Sequence, residues 1–301
     1  MTVPPLLVAP RIDGMGDFTY CLRDCRFVFV ASCTRSTATP MLRDTRRMQW
    51  ARIEHSGRSL FGAIDGDALR IHSGDMFRDP VPTGETVALA GAAWLTPCAP
   101  GKMLALWNNF RAAAERNGWG VPKEPLYFVK TDNSYNAHAR IIPVPRSYDG
   151  RVVYEGELGI VIGKTAAAVS AADASGCIFG YTCVNDVTAV ELTARDPVFP
   201  QWTRAKGFDG FGVFGPCIAT GIDPLRLVIR TVVNGRERQN YPADDMIFRP
   251  AELVSLISQD MTLHAGDLIA CGTSLGAMPM RPGTVIEVAI DGIGVLRNEY
   301  R

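Results

Sequence analysis

Short apolar runs bounded by glycine, proline, asparagine and aspartate dominate the chain, and few stretches carry helical spacing. Ser59-Leu60-Phe61-Gly62-Ala63-Ile64, the turn Asp65-Gly66-Asp67 and Ala68-Leu69-Arg70-Ile71 predict a hairpin around an Asp-Gly turn. Residues 227–233 turning at Asn234-Gly235 and 284–290 turning at Asp291-Gly292 predict two more. The runs from Tyr154 to Gly163 and from Ile178 to Val184 read as strands. Helical spacing recurs from Arg249 to Ile257, with Pro250 at the start, and a short helix is expected over residues 109–117. Thr96-Pro97-Cys98-Ala99-Pro100-Gly101 reads as a linker between a small β-rich unit, residues 48–100, and a larger one, residues 101–301. Many short strands with few helices argue against a doubly wound parallel sheet and predict an α+β, β-rich fold.

Candidate chemistry enters within the 154–163 strand. Side chains alternate along a strand, so Glu155 and Glu157 share a face. Two adjacent like charges are unfavourable unless something positive lies between them. A hard divalent cation such as Mg²⁺ or Mn²⁺ prefers oxygen ligands and would meet that demand. Two solvated glutamates on an exposed face are the alternative. A third carboxylate, Asp186, closes the 178–184 run; it could join a site or serve as an Asx turn or helix cap. The stretch from Gln201 to Phe211 gathers two cations, aromatics and glycines, and suits either an anionic ligand or an ordinary surface loop.

Composition excludes several classes. The 301-residue chain is 47% hydrophobic, which is enough for a large core in one or two domains. Its formal net charge is +0, so no basic field argues for nucleic acid or an anionic membrane. No apolar run reaches the roughly 18 residues of a membrane-spanning helix. The 8 cysteines lack paired spacing, which points to reduced thiols and a cytoplasmic setting, with Cys177, Cys183, Cys217 and Cys271 in the core. Gly207, Gly210, Gly212 and Gly215 lack the order of a phosphate-binding loop.

Taken together, Tyr-Glu-Gly-Glu-Leu from Tyr154, Gly-Tyr-Thr-x-x-Asn-Asp-Val-Thr-Ala from Gly180, Gln-Trp-Thr-Arg-Ala-Lys-Gly-Phe-Asp from Gln201, Asp-Met-Ile-Phe from Asp245 and Gly-Asp-Leu-Ile-x-x-Gly-Thr from Gly266 resemble the fumarylacetoacetate hydrolase family. The resemblance is to the bacterial branch with acylpyruvases, oxaloacetate decarboxylases and 2-hydroxyhepta-2,4-diene-1,7-dioate isomerases. It covers residues 101–301 and, more loosely, 48–100. It implies a roll of mixed β-sheets with a small N-terminal domain, and a homodimer. By matching position it implies Glu155, Glu157 and Asp186 as ligands of Mg²⁺ or Mn²⁺. Lys206 would face the carboxylate or enolate oxygen of a 2-oxo acid, and Lys130 would lie near the same pocket. Thr273 would help to hold the substrate carboxylate, with Gln201 and Arg204 as further candidates. Residues 1–47 precede the resemblance. They are expected to be a leader, disordered or an upstream extension of a chain that starts at Met48.

Departures from the family pattern bear on the reaction. Hydrolytic members carry Gly-Arg-Asn-Tyr-x-x-His-x-x-Glu on a mobile lid, where His and Glu activate water. The corresponding stretch runs from Trp107 to Arg116, with Ala113 in the histidine position and Arg116 in the glutamate position. General acid–base help of this kind is worth roughly 10²–10⁴-fold. Its absence favours an isomerase or decarboxylase acting through an enolate on a 2-oxo (di)carboxylic acid of aromatic catabolism. A C–C hydrolase of an acylpyruvate, with His138 from the following loop as substitute base, is the alternative, and an inactive metal-binding homologue is another. Ser274 replaces the proline usual after Gly-Thr and is expected to alter the loop over the substrate.

Overall fold

The computed structural model describes residues 47–301, so the expectation for a 1–47 leader lies outside the described residues. Most of the strands belong to one mixed, twelve-stranded sheet. Its order is Val81–Ala88, Ala68–Ser73, Arg58–Asp65, Met48–His55, Gly212–Thr220, Ile178–Asp186, Gly156–Ile162, Leu268–Ala270, Met103–Trp107 and Leu126–Lys130, with two short strands off this path. Neighbours on the path run antiparallel except Leu268–Ala270 beside Met103–Trp107. A second, five-stranded sheet follows the order Arg236–Pro242, Val228–Val233, Thr284–Ile290, Gly294–Tyr300 and Ile141–Ile142. The molecule is β-rich α+β with a small N-terminal domain.

The hairpins form where turn chemistry predicts them. Asp65 pairs with Ala68 across Gly66-Asp67, and Val233 pairs with Arg236 across Asn234-Gly235. The third hairpin needs one more residue, because Ile290 pairs with Gly294 and the Ile293 N–H returns to the Ile290 carbonyl at 3.0 Å. The helix Pro250–Asp260 begins at its proline, and the Glu252 carboxylate accepts the Arg249 N–H at 2.8 Å, closing the first turn. The lid helix is Arg111–Asn117, two residues shorter than expected at its start. Asn109 and Phe110 are committed elsewhere: the Asn109 carbonyl accepts the Ile247 N–H at 2.8 Å, and Phe110 forms a bridge with Met246.

The central strand Gly156–Ile162 is buried along its whole length, as a strand covered on both faces must be. Leu158, Ile160 and Ile162 enter the main core on one face, while Val161 joins a second cluster with Val184, Phe214 and Ala270. Glu157 lies on the Val161 side by alternation. A carboxylate is thereby carried into the interior by the same register that builds the core. Gly156 permits the close approach of the two sheets, since a Cβ there would meet Thr231 Oγ1 at 2.0 Å. Cys98, Cys177, Cys183, Cys217 and Cys271 are buried free thiols.

Candidate metal centre and substrate cavity

Strand pairing assembles the carboxylates. Gly156 lies opposite Asn185, and the Asp186 N–H donates to the Glu155 carbonyl at 2.9 Å. The Asn185 side chain accepts the Glu155 N–H at 3.1 Å, locking the register at the strand ends. Oxygens of Glu155, Glu157 and Asp186 consequently lie within 4.8 Å of one another. Asp186 is fully buried, Glu157 is 1% exposed, and Glu155 keeps 18% of its side chain open.

Two lysines face these three acids. Lys130 Nζ donates to Asp186 Oδ1 at 2.5 Å, and Lys206 Nζ donates to Asp186 Oδ2 at 2.5 Å and to Glu155 Oε2 at 2.6 Å. Burial opposes the charge on Asp186, but the two ammonium groups outweigh it and hold its carboxyl below the usual range. Burial likewise opposes the charge on Lys206, and the carboxylates Asp186, Glu155 and Glu157 outweigh it, so this ammonium stays protonated. Burial pushes Lys130 down against the pull of Asp186.

Glu157 is the uncompensated member. Its Oε2 accepts the Gly272 N–H at 2.8 Å, and no lysine reaches it. Burial, then the charges of Asp186 and Glu155, push its carboxyl well above the ordinary value. Gly272 has φ +89, and a Cβ would stand 3.2 Å from the Leu106 carbonyl, so glycine suits the close backbone turn that delivers this N–H. When all three acids are ionised, as metal ligands must be, three carboxylates against two ammonium groups leave one net negative charge. An all-oxygen donor set with a residual negative charge fits a hard divalent cation.

The cluster lies at the foot of a cavity of about 450 Å³. Glu155, Lys206 and Thr273 form its polar end. Thr273 Oγ1 donates to the Gly156 carbonyl at 3.0 Å and accepts from Gln239 Nε2 at 2.9 Å. Trp107, Trp119, Trp202 and Phe128 form the wall: the rings of Trp107 and Trp119 are 4.9 Å apart, and Phe128 stacks on Trp202 at 5.4 Å. The Lys206 ammonium stands 5.0 Å above the Phe128 ring. The lid helix lines the cavity with Ala113 and Asn117. It is held from a distance, the Ala112 N–H donating to Asp245 Oδ2 at 3.0 Å and Arg111 to the Met246 carbonyl at 3.3 Å.

The other sequence candidates separate. Lys130 has no exposed surface and does not line the cavity; it lies next to the cluster, with its ammonium bonded to Asp186. Trp202 and Lys206, four residues apart, share the inward face of the helix Trp202–Lys206. Gln201 and Arg204 fall off that face and bond each other at 3.1 Å, with Arg204 exposed, so the structure does not bring them to the cavity. Arg116 is exposed on the outer side of the lid. His138 packs edge-on against Trp94 and accepts the Arg297 N–H at 3.1 Å, away from the cavity lining, so it does not stand in for a lid histidine.

Three residues at the site escaped sequence reasoning. Gln239, 1% exposed, accepts the Gly156 N–H at 3.0 Å and also binds Thr273, tying the acidic strand to the substrate loop. Tyr241 donates to the Gly156 carbonyl. Asn109, 1% exposed, donates to the Cys271 carbonyl at 2.8 Å and accepts the Phe248 N–H at 2.8 Å, pinning the lid to both loops. A signal existed for the first two. In Arg236–Pro242 the inward positions are 239 and 241, so a glutamine occupies a core-facing place where only a fully bonded amide is stable.

The chain is similar to known proteins over most of its described length. Residues 102–301 match the model for the fumarylacetoacetate hydrolase C-terminal family, and residues 48–97 match the Rv2993c-like N-terminal family. Oxaloacetate tautomerase YisK of Bacillus subtilis is 36% identical over 209 residues, covering 65% of this chain and 68% of that protein. The crystal structure of 2-hydroxyhepta-2,4-diene-1,7-dioate isomerase from Mycobacterium marinum superposes with a TM-score of 0.77 at 35% identity, covering 84% of this chain and 98% of that one. Fumarylpyruvate hydrolase from Pseudomonas aeruginosa, solved with Mn²⁺ and pyruvate, gives a TM-score of 0.63 at 28% identity, covering 67% of this chain and 89% of that one. The chain belongs to the fumarylacetoacetate hydrolase family, whose mixed-sheet roll it shares.

Proposed function

We propose that this protein is a divalent-metal-dependent enzyme that converts a 2-oxo carboxylic acid through its enolate, as an isomerase, tautomerase or decarboxylase. The observation that carries the reading is the Glu155–Glu157–Asp186 cluster, one charge short of neutral when all three acids are ionised, beside an open cavity that is lined by Ala113 where a lid base would stand. Mg²⁺ or Mn²⁺ held by those oxygens supplies Lewis-acid polarisation of the 2-oxo carbonyl when bound.

The chain's own groups supply the rest. The Thr273 hydroxyl, on a loop fixed by Gln239, donates to the Gly156 carbonyl in the free protein and would turn that O–H to the substrate carboxylate on binding. Transfer of the C3 proton to a water molecule in the cavity turns the C3–H pair into the C2–C3 double bond, and the carbonyl π pair settles on oxygen. Loss of CO₂ from a 3-carboxylate delivers the same electron pair. The Lys206 ammonium, kept charged by its carboxylates, stabilises the oxygen that gains this charge. The aromatic wall and lid helix reduce the access of bulk water to the enolate, so reprotonation is directed to carbon or oxygen.

The missing lid base argues against hydrolysis, because Glu155 and Lys206 are the charged side chains lining the cavity and both are engaged with each other. Proton NMR in D₂O with Mg²⁺ tests the choice. C3 exchange or CO₂ loss from a 2-oxo acid without cleavage of an acylpyruvate is expected. Cleavage of the acylpyruvate to pyruvate would make the protein a hydrolase instead.

A further inference from the structure

The cavity carries information about the part of the substrate that does not react. Its charged lining groups are Glu155 and Lys206, with Thr273 beside them and neutral polar groups such as Asn108, Asn117 and Ser274 elsewhere in the lining. Trp107, Trp119, Trp202, Phe128 and Leu275 supply a large apolar surface, and Ala113 is small. Trp202 touches both flanks: its ring lies 6.1 Å from Trp107 and stacks with Phe128 at an interplanar angle of 20°. The aromatic surface is continuous.

The cation count decides what can lie against that wall. Among the described residues Lys206 is the one basic side chain in the lining, and its ammonium already bonds both Asp186 and Glu155. No arginine or histidine among the described residues lines the cavity. Arg111 is turned to the Met246 carbonyl, Arg116 is exposed, and Arg204 bonds Gln201. A 2-oxo acid places its own carboxylate and carbonyl at the polar end. A second carboxylate against the wall would meet neutral groups and a Lys206 ammonium, 5.0 Å from Phe128, that is already bonded to two carboxylates, which is unfavourable. An aromatic ring or branched alkyl group would gain apolar burial and offset stacking there. The cavity volume, about 450 Å³, falls within the usual range for small-molecule sites.

We infer that the substrate is a 2-oxo monocarboxylic acid bearing an uncharged aromatic or bulky aliphatic group beyond the reacting carbon, with the Trp107–Trp202–Phe128 wall as its specificity surface. This rests on the enolate reading above and narrows its 2-oxo (di)carboxylic class to the monocarboxylic side.

Two readouts separate the inference from that reading. With full-length protein and Mn²⁺, tryptophan fluorescence titration gives the affinity for phenylpyruvate, 4-methyl-2-oxopentanoate and oxaloacetate. NMR gives C3 exchange for the same acids. The two monocarboxylic acids should bind and exchange at least about tenfold better than oxaloacetate. Oxaloacetate binding equally well or better would overturn the inference while leaving the enolate reading intact. Binding in the expected order with no exchange from any acid would sink the enolate reading and uphold the cavity assignment. Failure of all three acids to bind would overturn both. Leu275 is 44% exposed, so Leu275→Arg can add a cation to the wall without burying a charge. It should shift the binding ratio about tenfold toward oxaloacetate; an unchanged ratio would count against the charge argument.

Discussion

At the scale of single residues, Glu157 makes the sharpest commitment. Its carboxyl is pushed up by burial and by Asp186 and Glu155, so the folded metal-free chain holds a proton there that the unfolded chain releases above about pH 4.3. The folded state then binds more protons, and metal-free stability should fall as pH rises beyond that value toward the raised folded pKa. Glu157→Gln removes this slope while keeping an acceptor for the Gly272 N–H. Scanning calorimetry at neutral pH should show the metal-free variant melting a few degrees above wild type, yet gaining nothing from Mn²⁺. A variant less stable than wild type without metal, or one still stabilised by Mn²⁺, would contradict the assignment. Lys206→Ala should cost roughly 10²–10³-fold in turnover, as loss of an oxyanion partner does, and Lys130→Ala about 3–5 kcal/mol of stability by leaving Asp186 short of a buried partner. Steady-state kinetics and urea denaturation read the two separately. The pairing of Glu155 with Glu157 was legible because it follows from strand alternation alone. The burial of Lys130 behind Asp186 was not, since sequence spacing does not say on which side of a carboxylate a cation lies.

At the scale of elements, the lid and the hairpins differ in how far local sequence governs them. Asp-Gly and Asn-Gly turns between apolar runs settle their hairpins within a few residues, and these were legible. The lid helix is short and has no side-chain N-cap of its own; it borrows Asp245 and the Asn109 bonds to residues 248 and 271, partners more than a hundred positions away. Such contacts leave no local periodicity, so Asn109 was missed; Gln239 and Tyr241 alternate inward along their strand, which signals burial but not the partner. Asn109→Ala should leave two buried carbonyl partners and an N–H unpaired at a cost of about 1–3 kcal/mol each at most, and should raise hydrogen exchange in residues 110–118. Unchanged exchange there would mean that the lid is held by other contacts. Ala113→His combined with Arg116→Glu should raise the rate of acylpyruvate cleavage, since position 113 lines the cavity. No rise, checked by pyruvate release, would mean that a lid base is not what hydrolysis lacks.

Across the whole molecule, one sheet joins the small N-terminal meander to the strands that carry the acids, through Met48 opposite Thr220 and Trp50 opposite Ile218. No helix among the described residues is long and apolar enough to cross a membrane. Strand order across such a separation in sequence is a product of the folded core, which is why apolar patterning foretold a β-rich architecture, and the family resemblance its mixed sheets, without foretelling the path. A metal bound at the acidic centre in that core would couple its binding to folding. Ligand linkage predicts a stabilisation of about 2.7 kcal/mol when free ion stands a hundredfold above its Kd. The central claim, that the three carboxylates form a metal site for enolate chemistry, is tested most directly by C3 hydrogen–deuterium exchange of phenylpyruvate followed by NMR. The protein is stripped with chelator, assayed, and assayed again after Mg²⁺ or Mn²⁺ is restored, with Glu155→Ala run alongside. Exchange above the metal-only blank that disappears on stripping, returns with metal and stays absent in the variant is the predicted result. Exchange that persists in stripped protein, or at full rate in Glu155→Ala, would contradict it.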